Sequence, residues 1–219
     1  MSARRSLRSA CRLVVALAML AVAPGTTFAQ AEKLTGRFPP GAESALRAIL
    51  DSARTRQIPL APLTQRALEG SSRGIDPERV VSVVHSLYTR LLAAKQALGP
   101  KTSEAELVAA ASAIYAGVSP DVLDRIRLTS REGEIALRLV VLSDMIDRGV
   151  HRDTAASIIV SLSDAGIPDE RLQLLRQSML LDIRSGVAPS VAATTRARGA
   201  LAERARQTRQ PDAPPSRRP

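Results

Sequence analysis

"RGIDPERVVSVV", residues 73–84, sets a glycine, a branched apolar residue, an acid, a proline and a second acid ahead of an apolar run. Glycine tolerates the left-handed backbone that ends a helix, so Gly74 suits the position just past a C-terminus. Ile75 follows as an apolar plug able to fold back on the last turn. The Asp76 carboxylate can accept a bond from a free N–H of the next helix. Pro77 fits the first helical position, where its missing N–H costs nothing, and Glu78 lies where the helix dipole favours negative charge. The stretch reads as a joint between two helices, built from residues whose local tasks are structural.

The joint recurs. "AGVSPDVL" supplies Gly117, Val118, Ser119 as cap, Pro120 and Asp121; "RGVHRDTA" supplies Gly149, Val150 and Asp153, with His151 and Arg152 in place of cap and proline. "AGIPDERL" gives Gly166, Ile167, Pro168, Asp169 and Glu170, and "SGVAPSVA" gives Gly186, Val187, Pro189 and Ser190. A looser relative, "RQIPLAPL" at 56–63, has Gln57 where the others have glycine. Successive joint glycines, Gly74, Gly117, Gly149, Gly166 and Gly186, lie 43, 32, 17 and 20 residues apart. Intervals of that kind fit one or two helices per joint, and their inequality argues against a strict tandem repeat.

Between the joints the apolar pattern is helical. Ala45, Leu46, Ile49 and Leu50 share one face of 41–54, and Val80, Val84, Leu87, Leu91 and Leu98 form a stripe along 77–98. Ser103 and Glu106 are spaced as a capping box, opening a helix that turns Leu107, Val108, Ala111 and Ile114 inward. A short turn around Val122 to Ile126 leads to "EIALRLVVL", apolar almost all round, which predicts a central helix over 132–147 with Val140 and Leu142 in the core. Helices near 153–164, 169–184 and 189–207 follow, and no segment alternates as a strand would. The expected fold is all-α: a single domain made of an irregular array of short helices joined by Gly-[Ile/Val]-x-Pro turns.

The ends carry different messages. Arg4, Arg5, Arg8 and Arg12 precede the apolar run 13–23, and Pro24, Gly25 and small residues follow, the three parts of a secretory signal peptide. Eleven apolar residues are too few to span a bilayer. Residues 1–31 are therefore read as a leader, 32–41 as a flexible lead-in that Phe38 can dock, 42–207 as the helical domain and 208–219 as a disordered Arg/Pro-rich tail. The leader implies export to the periplasm or outside, with no transmembrane span after cleavage. Cys11, the only cysteine, lies in the leader, so the mature chain has neither disulfide nor thiol ligand. The formal charge of +10 belongs to the ends: residues 1–31 carry four arginines and no acid, and 194–219 carry seven arginines against Glu203 and Asp212. The body between is almost neutral.

A search for catalytic groups is short. His85 sits beside the apolar stripe of 77–98, and His151 takes a helix-cap position with Asp147 four residues before it. Asp144 and Asp147 share a helix face, where pairing with Arg148 is the plain alternative to acid–base work. Glu134 and Arg138 are spaced as an ordinary i,i+4 ion pair. Ser103, Ser130 and Ser161 lack a nucleophile-elbow context, the glycines are isolated, and Phe28, Phe38, Tyr88 and Tyr115 make no stacking platform. No catalytic, cofactor-binding or metal-ligating residue is assigned, and nothing recommends an enzyme.

The joints "GIDPERV", "GVSPDVL" and "GIPDERL", with "LTQRALEGSSRGIDPERVVSVV" ahead of them, resemble an uncharacterised group of exported bacterial α-helical proteins rich in such turns. The resemblance spans roughly residues 56–200 and implies architecture without residue-level function; the His151-Arg152 joint departs from its pattern. Two functional expectations follow. One is a non-enzymatic module that binds another periplasmic or envelope protein through a groove between helices. The alternative is an envelope-associated protein that holds anionic polymer or lipid through its basic C-terminus.

Overall fold

In the computed structural model, which describes residues 33–130 and 135–209, the joints are where the backbone leaves the helical region. At the first joint quoted above, the Gly74 N–H donates to the Ser71 carbonyl and the Ile75 N–H to the Gly70 carbonyl, both at 3.0 Å. These two bonds satisfy carbonyls that the helix end would leave orphaned. They require positive φ at the turning residue, and Gly74 has φ +64°. The same pair of bonds closes the turns at Gly117, Gly149, Gly166 and Gly186. It also closes the turn at Gln57, the one non-glycine residue with positive φ (54°) among those described. The looser relative is thus a full member.

Nine helices occupy the described residues: α1 (Pro40–Thr55), α2 (Leu60–Ser72), α3 (Pro77–Leu98), α4 (Glu104–Tyr115), α5 (Pro120–Thr129), α6 (Ile135–Asp147), α7 (Arg152–Asp164), α8 (Asp169–Arg184) and α9 (Pro189–Arg209). The fold is all-α, and no strand occurs among these residues. Extensive packing there runs only between a helix and its neighbour or next but one: α1 and α5 on α3, α4 on α6, α5 and α9 on α7. Each helix thus meets its sequence neighbourhood, as in an array rather than a closed bundle. Helices α3 and α6 each pack against four others, α6 against α4, α5, α7 and α8, with Leu139, Leu142 and Met145 fully buried.

Capping follows the sequence in two places and departs from it in two. The Asp76 carboxylate accepts from the Arg79 N–H at 3.0 Å, and Ser103 with Glu106 forms a complete capping box. Ser119 and His151 occupy N-cap positions without a side-chain cap bond.

Five expectations change. The turn around Val122 to Ile126 is a ten-residue helix, α5, because Leu123 and Ile126 each bury a side chain one turn apart. Val140 is 43 % exposed: positions 138, 139, 141, 142 and 145 take the buried face of α6 and leave Val140 pointing away. Val108 is likewise exposed on α4. The lead-in is packed from residue 34 onward, since Leu34 and Phe38 are both buried in the core. The last helix also runs two residues past its expected end, to Arg209. The leader 1–31, Glu134 and the tail beyond 209 lie outside the described residues, as do the first three residues of the helix expected over 132–147.

Candidate functional site

Gly70 is the start of the site. A Cβ there would lie 2.6 Å from Val80 Cγ2, so glycine lets α2 and α3 approach at this point. It also removes something. The apolar residue after such a turn usually packs against the residue whose carbonyl its N–H reaches. For Ile75 that residue is Gly70, which has no side chain to offer. Ile75 is consequently 40 % exposed, and Val83, two turns into α3, is also 40 % exposed.

Together they face an open groove of about 230 Å³ with Gly70 and Val80 beneath and Arg66, Arg73, Arg79 and Glu69 around the rim. At Arg66 and Val83 it adjoins a second trough of about 580 Å³, which follows α3 to Arg90, Tyr115 and Asp147. Arg90 lies with its guanidinium carbon 4.6 Å from the centre of the Tyr115 ring, a cation–π contact. Its Nε is buried and without a hydrogen-bond partner. Burial pulls the Arg90 guanidinium below its ordinary pKa; nearby Tyr115 opposes this and Arg66 adds to it.

The combined surface has four arginines against two carboxylates, Glu69 and Asp147. Glu69 pairs with Arg66 at 3.4 Å, but among the described residues no carboxylate lies within ion-pair distance of Arg73, Arg79 or Arg90. Another groove, about 520 Å³ between α8 and α9, is different. There Arg171 pairs with Glu203, and Arg196 makes two 2.6 Å bonds to Asp182. Those hydrogen bonds to Arg196 hold the Asp182 carboxyl below the usual carboxylate range.

The residues singled out for chemistry are dispersed. His85 is exposed on α3, its ring centre 6.3 Å from that of Tyr88. His151 is exposed at the start of α7 and faces Asp153, with Nδ1 3.6 Å from Oδ2, rather than Asp147. Asp144 is bound by Arg148 at 3.0 Å and by Arg176 of α8 at 2.9 Å, whereas Asp147 borders the trough. Ser103 serves in its capping box, Ser130 ends α5 and Ser161 lies within α7. Among the described residues no three His, Cys, Asp or Glu side chains converge as a metal site would need. No helix there is long and apolar enough to cross a membrane.

Sequence reasoning missed two features. Arg138 is the first: its stem and head are buried, its Nε donates to Ser163 Oγ (3.1 Å), and its two terminal nitrogens donate to Asp169 Oδ1 and the Ile167 carbonyl (2.9 Å each). It ties α6 to the α7–α8 joint, and a charge inside "IALRLVVL" was the available signal. The groove is the second, signalled only by a glycine five residues before Ile75. No protein-family model matches the chain, and no curated protein and no solved structure matches it either.

Proposed function

We propose that this chain is an exported, non-enzymatic helical module that binds another protein of the bacterial periplasm or cell envelope. The observation that carries the binding role is the concave surface along α3, where Ile75 and Val83 remain exposed beside Arg73, Arg79 and Arg90, which lack carboxylate partners among the described residues. Soluble domains scatter single apolar residues freely, but paired ones in a rimmed groove mark contact surfaces. The export role rests on the leader pattern of residues 1–31.

The arginine-rich end supplies a second reading, attachment to anionic polymer or lipid. Part of that charge is already engaged, since Arg196 pairs with Asp182 and Arg204 donates to the Ala165 carbonyl at 3.3 Å. One experiment tests both. A photo-crosslinking residue replaces Val83 in the full chain, expressed in its own cell, and the envelope fraction is irradiated. A discrete protein adduct is the expected result. A chain ending after Arg209 should form the same adduct. No adduct, together with salt-sensitive envelope retention that vanishes on that truncation, would favour the second reading instead.

A further inference from the structure

We infer that the groove between α2 and the start of α3 takes an acidic amphipathic segment of the partner, apolar side chains over Ile75 and Val83 and carboxylates on Arg73, Arg79 and Arg90. This deepens the protein-binding role and rests on it.

Charge complementarity selects the occupant. Arg73 and Arg79 flank the exposed Ile75, and Arg90 stands farther along the same helix. In the groove between α8 and α9, by contrast, Arg171 and Arg196 are neutralised by carboxylates of the chain itself. Guanidinium groups held at a rim offer paired N–H donors matched to carboxylates. The guanidinium of Arg90 lines the trough, and its Nε is buried without a hydrogen-bond partner. Its contact with the Tyr115 ring, 4.6 Å from guanidinium carbon to ring centre, does not satisfy that N–H.

The apolar floor selects a peptide over other anions. A phosphate polymer has nothing to cover Ile75 and Val83, which would stay wet beneath it. A membrane surface is broad, whereas the groove is a small depression of about 230 Å³ where Gly70 lets α2 approach α3. A helix with two apolar residues one turn apart, flanked by Asp or Glu, meets both demands.

Random peptides displayed on phage, panned against the full mature chain, test this directly. Enriched sequences should carry apolar residues three or four apart and an excess of carboxylates, and binding should weaken as salt rises. Ile75→Ser, and separately the double change Arg73→Gln with Arg79→Gln, should each lower affinity by about tenfold or more. Both sets alter exposed side chains, and an unchanged melting curve would confirm that the fold persists. Enriched peptides that are neutral or basic, or that bind both variants as well as the parent, would overturn the assignment. If instead they respond to Val191→Ser on α9, the groove is wrong while protein binding stands. Vesicles containing phosphatidylglycerol form the control arm. Groove-dependent vesicle binding without any enriched peptide would assign the arginines to lipid and overturn the proposal. No enrichment and no vesicle binding would overturn it too, and absence of the Val83 adduct would then remove the broader function as well.

Discussion

At Gly166 the chain turns with Ile167 only 3 % exposed, while at Gly74 the same two backbone bonds leave Ile75 40 % exposed. The difference begins five residues earlier. Ile167 reaches back to Leu162, and Ile75 reaches back to Gly70. The remaining joints obey the same rule: Ile58, Val118 and Val150 return to Ala53, Ala113 and Met145 and are buried. Val187 returns to the charged Asp182 and is 38 % exposed. A turn motif therefore fixes the backbone, and the residue opposite the plug decides whether the joint closes over it. The closed joint at Ile167 is further clamped by Arg138, whereas the open one at Ile75 borders the groove.

The largest test of that contrast is Arg138→Ala. It removes the donor shared by Ser163, Ile167 and Asp169, leaving a buried carbonyl without that bond and a void beside it. Asp169 is one-third exposed and can rehydrate, so the loss should be about 3 kcal/mol, near the lower end for a broken buried pair. A denaturant midpoint that barely moves would show the clamp to be ornamental. Ile167→Ala comes next, at about 2–4 kcal/mol for a buried branched side chain, against about 0.5 kcal/mol or less for Ile75→Ala at its half-open site. Equal costs for the two would break the comparison outright.

Much of this architecture is legible before any coordinates. The six joints, the Asp76 cap, the Ser103–Glu106 box and the helical stripes all depend on contacts within a few residues, which sequence order specifies directly. What sequence order hides is which way a nearly uniform apolar helix faces. Val140 and Leu142 look alike in "RLVVLSD", yet the buried face of α6 is set by α4, α5, α7 and α8 from outside. Arg138, spaced as an ordinary i,i+4 partner of Glu134, hides its buried role for the same reason: Ser163, Ile167 and Asp169, to which it donates, lie 25 to 31 residues away. The groove is an intermediate case. Gly70 and Ile75 are close in sequence, but the depression between them exists only because Val80 fits against the glycine.

Smaller effects probe the turn itself. Gly74 and Gly166 have nearly equal φ, +64° and +61°, and an added Cβ meets no clash at either. Valine at either position must enter the left-handed region, at a cost of about 1–2 kcal/mol. The two substitutions should therefore match in thermal melts, despite the unequal burial of their plugs. A much larger loss at Gly166 would mean that the Arg138 clamp transmits backbone strain that the open joint relieves.

Asp76 gives the smallest effect and separates cap from site. Its carboxylate accepts the Arg79 N–H at 3.0 Å, and removing it in Asp76→Ala should cost about 1 kcal/mol. Serine can accept the same bond, so Asp76→Ser should change stability by only about 0.3 kcal/mol. The position also lies in sequence between Arg73 and Arg79 at the rim of the groove, where a carboxylate would repel an acidic ligand rather than attract it. If Asp76 serves only as a cap, Asp76→Ser should leave peptide affinity unchanged or slightly higher, while the melting curve holds. If its carboxylate instead contacts the ligand, affinity should collapse at unchanged stability, and the occupant would have to be cationic. Paired melts and binding isotherms on the two variants distinguish these outcomes. Serine should restore the cap that alanine loses without weakening association.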